Sequence, residues 1–140
     1  MGKIVIKTKP NRKSWGNIKG QSLVEFALVV PLLLLLVIGI AEFGRAWMTK
    51  NILTGAAREA VRVMAVQTGN VTTATARADN ILNSAGITTA TVSVIDAPSS
   101  FEAVSVTVTY NFPVVIAGFI PGLDNATIPL SSTTTMRREY

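Results

Sequence analysis

Residues 20–41 read GQSLVEFALVVPLLLLLVIGIA, from Gly20 to Ala41. Between Phe26 and Ala41 no side chain carries a charge. As a helix, those residues rise roughly 24 Å. Adding Gln21 to Val24 brings the rise to about 30 Å, the thickness of a bilayer's hydrocarbon core. The segment therefore reads as a transmembrane helix over 21–41. Its anomaly is Glu25. A carboxylate inside such a run costs up to about 3 kcal/mol on insertion scales, depending on depth. Something has to compensate for it.

The charge on either side is uneven. Residues 1–20 hold Lys3, Lys7, Lys9, Arg12, Lys13 and Lys19 and no acid, while the remaining chain holds seven basic and eight acidic side chains. The net charge of +5 thus belongs to a short basic leader. A nucleic-acid-binding domain would spread its cations over a folded face, so no nucleic acid is expected as a partner. The leader shows no helical period and is expected to be disordered. Cations are retained on the cytoplasmic side, which places the N-terminus inside and the C-terminus outside a cytoplasmic membrane. A secretory signal would end its apolar run in a small-residue cut site. Here Glu42, Phe43, Gly44 and Arg45 follow the run, and the small residue, Gly20, precedes it.

Gly20 ahead of the run, with Glu25 fifth from Gln21, resembles the processing site of type IV pilin-like precursors. The wider pattern is Gly20 to Pro31, then Phe43-Gly44-Arg45, then Ala56-Ala57-Arg58-Glu59-Ala60, and near the end Thr134-Thr135-Met136-Arg137-Arg138-Glu139. It is similar to the TadE-like family, pseudopilins of the tight-adherence (Tad, or Flp) pilus systems. The resemblance implies cleavage between Gly20 and Gln21 by a prepilin peptidase. It implies that Glu25 pairs with the new terminal amine of a neighbouring subunit, relieving the burial of both charges. It implies other pilins or pseudopilins, the Tad secretion machinery and membrane lipid as partners. A minor pseudopilin acting in pilus assembly, initiation and surface adherence is the leading function. A major subunit of a pilus-like filament is a second. A third, of a different class, is a permanently anchored single-pass protein whose outer domain binds a partner.

Pro31 removes one hydrogen bond from the helix and is expected to kink it. It is either a flexible point used when the subunit leaves the bilayer or an ordinary transmembrane break satisfied by neighbours. Past Ala41 the apolar positions Phe43, Trp47, Ile52 or Leu53, Ala56, Ala60, and Val63 or Met64 recur at helical spacing. The helix is expected to continue to about residue 68, roughly 70 Å in all, with ion pairs Glu42–Arg45 and Glu59–Arg62 at i,i+3. Trp47 suits either the membrane interface or the core of the outer domain.

Residues 72–85 read as a second helix capped by Thr72 or Thr73 and stopped by Gly86. Three alternating stretches follow, over 88–96, 102–111 and 127–137. The expected fold is α+β, a long N-terminal helix packed on a small three-stranded antiparallel sheet with one short second helix. The domains are a prepilin-type leader (1–20), the transmembrane helix (21–41) and an extracytoplasmic head (42–140). Residues 112–123 are apolar but too short to span a membrane. They form either a lid over the core or an exposed sticky patch.

No enzyme is expected. The chain has no histidine and no cysteine, which removes the commonest general base, the thiolate nucleophile and the commonest metal ligands. Asp79, Asp96, Glu102 and Asp124 are scattered. No cofactor, metal or small-molecule substrate is implied.

Overall fold

The computed structural model describes residues 18–66, 70–95, 103–119, 121–123 and 125–138. The leader before Ile18, expected to be disordered, lies outside them. In chain order the elements are α1 (Ile18–Val66), α2 (Val71–Ser84), β1 (Thr91–Ile95), β2 (Ala103–Pro113), a 3-10 turn (Val115–Phe119) and β3 (Thr127–Arg137). The fold is the expected α+β arrangement of one long helix, one short helix and a three-stranded antiparallel sheet in the order β1-β2-β3. The chain divides into two compact units, Met1–Val37 and Ile38–Tyr140.

In the first unit, α1 is built from Leu, Val, Phe and Ala, and it continues as a helix through Pro31. From Gly20 to Val37 every side chain is exposed except the half-buried Val30. An 18-residue window of α1 has mean hydropathy 2.9 and no buried residue. This one helix is long and apolar enough to cross a membrane.

The second unit carries the core. Small and medium side chains of α1 (Leu53, Ala56, Ala57, Ala60, Val61, Met64) are fully buried with Ala74, Ala78 and Leu82 of α2 and with Val104, Val106 and Val108 of β2. Alanine supplies five of the side chains in this layer. The larger side chains each contribute about 1.5–3 kcal/mol by leaving water. The strict alternation in β2 decides which face is covered. Val104, Val106 and Val108 point inward and Ser105, Thr107 and Thr109 point away, since successive side chains alternate across a strand.

Register follows from the same pattern. Val106 pairs with Val94 on β1 and with Thr134 on β3. On the outer face, hydroxyls meet across strands, Ser105 with Thr135 at 2.6 Å and Thr107 with Thr133 at 2.9 Å. β3 also covers Thr127–Arg137, the stretch its alternation marked, whereas β2 extends two residues beyond the expected end, to Pro113.

Two caps define α2. Its N-cap is Asn70, whose side chain accepts from the Thr73 amide at 3.1 Å, and not Thr72 or Thr73. An Asx side chain just before the helix satisfies an amide that no preceding turn can reach. At the other end Gly86 takes φ +77°, the Gly86 amide donates to Asn83 O at 3.0 Å and the Ile87 amide to Leu82 O at 2.9 Å. This is the Schellman arrangement, in which glycine relieves the left-handed strain. Ile87 then buries itself beside Leu82 in the core.

Candidate functional site

Gly20, Gln21, Glu25 and Pro31 all lie on α1. Gly20, Gln21 and Glu25 are solvent-exposed in this chain. Gln21 and Glu25 sit one turn apart, and Gln21 Nε2 donates to Glu25 Oε1 at 3.2 Å. The carboxylate therefore has an amide donor within its own helix. The four-residue spacing alone places these two side chains together on the helix. Pro31 has no amide proton, so it donates nothing to the carbonyl of Ala27. Within this first unit, Val29, Leu32, Leu33 and Leu36 form an apolar surface notch.

The second unit has a polar cluster where α1 leaves its apolar run. Arg45 Nη1 lies 2.8 Å from Glu42 Oε1. The same guanidinium stacks over the Phe112 ring, 5.1 Å from its centroid. A planar cation suits both contacts at once. Glu42 is only 15% exposed, and its second oxygen has no hydrogen-bond partner among the described residues.

Further along, Lys50 Nζ donates to the Ser131 carbonyl on β3. Thr54 donates to Lys50 O at 2.8 Å and its hydroxyl meets that of the buried Ser132 at 2.9 Å. These contacts fasten α1 to β3. Glu59 does not pair with Arg62 as its spacing suggested. It meets Arg77 of α2 at 3.3 Å, because the neighbouring helix brings that cation to the same carboxylate.

Phe43 and Trp47 stack on the surface with centroids 6.1 Å apart. Trp47 is 61% exposed, so it is not part of the head's core. Beside them runs a groove of about 380 Å³ lined by Phe43, Trp47, Lys50, Pro129 and Leu130. Residues 112–123 divide between the two expected roles. Phe112 and Ala117 are buried, while Val115 and Leu123 are exposed. Among the described residues no cluster of acidic side chains is arranged to hold a metal ion.

The class defined by these features is a single apolar helix continuing into a small α+β head. Comparison with protein families adds the particular relation. The family model described as TadE-like protein matches residues 20–62, the family the sequence resembles. The match spans Gly20, Glu25, Pro31 and the Glu42–Arg45 pair. No curated protein and no solved structure matches the chain.

Proposed function

We propose that the chain is a minor pseudopilin of a Tad-type pilus. It is made as a membrane precursor with residues 1–20 cytoplasmic and residues 42–140 outside. A prepilin peptidase cuts it between Gly20 and Gln21, and the mature subunit joins other pilins or pseudopilins in assembling or initiating a surface fibre for adherence. The observation that carries this reading is the family match over 20–62, laid over a helix whose most apolar window has no side chain buried among the described residues.

Glu25 has a physical role in this scheme. Cleavage makes Gln21 the first residue of α1. It creates a terminal ammonium and leaves the first amides of the helix without partners. The helix end then carries both a formal charge and the positive end of the macrodipole. Glu25, one turn away, is the nearest carboxylate in sequence. In the precursor its partner is the Gln21 amide; in the mature subunit the ammonium of a neighbouring copy takes that place. Assembly thereby offsets two buried charges with one contact.

The Glu25→Ala variant tests this role. The variant should enter membranes at least as well as the parent, since it lacks the insertion penalty, yet fail to appear in sheared surface fibres. Undiminished surface assembly would remove Glu25 from the account and favour a permanently anchored protein with a partner-binding head.

A further inference from the structure

Part of the head's exposed apolar surface, on Phe43, Trp47, Met48, Val115, Leu123 and Ile128, lies toward the Phe112 end of the sheet, while Val66, Val71, Ile95 and Met136 are exposed elsewhere. β2 runs from the core valines to Phe112, which lies under Arg45. It therefore heads back along α1 toward the residues where the apolar run stops. The chain continues past Pro113 into the 3-10 turn and returns through Leu123 to Ile128, which pairs with Phe112. This returning segment is held in place. The Val114 amide donates to Ala126 O at 3.1 Å, the Ala126 amide donates to Leu123 O at 3.0 Å, and Ala117 is buried. From it Val115, Leu123 and Ile128 project with roughly half their surface in solvent. On α1, Phe43, Trp47 and Met48 are more exposed still. Lys50 and Arg45 bring cations to the same end of the head.

We propose that this end of the head, formed by the 3-10 turn, Leu123, Ile128 and the Phe43–Trp47 stack, rests in the headgroup–acyl boundary of the bilayer. The occupant is identified by position and chemistry. Ile38 to Ala41 belong to the head's own unit and are the last residues of the apolar run, and Glu42 and Arg45 follow them directly in the chain. Aromatic rings belong at that boundary, and Arg and Lys reach from it to headgroup phosphates. Apolar side chains of a folded surface enter it by the same balance that seats interfacial helices. The span tethers the head, so the contact operates at high effective concentration and needs little intrinsic affinity. The inference rests on 21–41 crossing the bilayer, and not on cleavage after Gly20.

The chain has no cysteine, so single substitutions accept one spin label each. The full chain is reconstituted in phosphatidylethanolamine–phosphatidylglycerol vesicles with labels at Val115→Cys, Leu123→Cys, Leu33→Cys in the span and Thr72→Cys at the start of α2. The readout is relative accessibility to oxygen and to a water-soluble nickel chelate, which is the same for either orientation of the head. The ratio of oxygen to nickel access at positions 115 and 123 should approach that at 33 and exceed that at 72 several-fold. Ratios at 115 and 123 equal to that at 72, with 33 still in lipid, would overturn the inference. So would spin–spin broadening at 115 or 123 that disappears on dilution with lipid, since a second copy would then cover this end. A water-like ratio at 33 would instead remove the membrane span on which the inference rests.

Discussion

Gln21 donates a hydrogen bond of 3.2 Å to Glu25, one helical turn further along α1. The acid of the apolar run thus carries its own donor. A hydrogen bond to a carboxylate contributes about 1.5–3 kcal/mol where water is scarce. In the Gln21→Leu variant that donor is gone while Glu25 remains. The membrane-integrated fraction of the precursor should fall, by about tenfold at a loss near 1.4 kcal/mol. Glu25→Gln in the same background should restore it. Alkaline extraction of membranes reads both effects.

The join between α1 and β3 rests on Thr54 and Ser132. Their hydroxyls meet at 2.9 Å, and Ser132 is buried. Thr54→Val leaves the Ser132 hydroxyl without that partner, which is expected to cost about 1–3 kcal/mol of head stability. Thr54→Val combined with Ser132→Ala removes both groups and should recover most of the loss. Unfolding of the full chain in mild detergent, followed by circular dichroism, gives the cycle. Additive losses would mean that the pair is not coupled.

Packing between α1 and the sheet depends on alanine. Ala60 is fully buried amid the core cluster. Ala60→Leu forces extra atoms into a filled layer and should destabilise the head by about 1–3 kcal/mol or more. Arg58→Leu, on the exposed side of the same helix, should change stability by no more than about 0.5 kcal/mol. The same detergent unfolding distinguishes them.

At the start of α2, Asn70 is the cap. Asn70→Ala should cost about 1 kcal/mol, and Asn70→Asp should retain the cap. Amide hydrogen exchange at Thr73 should quicken in the first variant only.

These particulars show what the sequence displays and what it hides. The two-residue alternation of Val104, Val106 and Val108 against Ser105, Thr107 and Thr109 exposes the sheet face directly, because burial and strand geometry share that period. The pairing of Phe112 with Ile128 extends β2 beyond its alternating stretch, and that is a tertiary effect. Asn70 is not singled out by sequence, because threonines at 72 and 73 are also capping residues and only backbone geometry chooses among them. The Glu59–Arg77 pair links two helices, which spacing along one helix does not reveal. At the site, Gly20 and Glu25 are marked by their spacing from Gln21, whereas the Gln21–Glu25 contact follows from helix geometry and needed only a four-residue count. The Glu42–Arg45 pair was visible in the same way, but the seat of Arg45 over Phe112 required the fold.

The central claim is that the apolar helix becomes a pilin-like subunit only after the leader is removed. Mass spectrometry of the intact protein and of its N-terminal peptide, from membranes and from sheared surface material, tests it most directly. The account predicts a mature terminus at Gln21, present in the sheared fraction. A protein that retains Met1 and is found only in membranes would contradict it and leave a signal-anchored head. A terminus at or beyond Glu42 would contradict it more deeply, since the apolar run would then be a discarded signal.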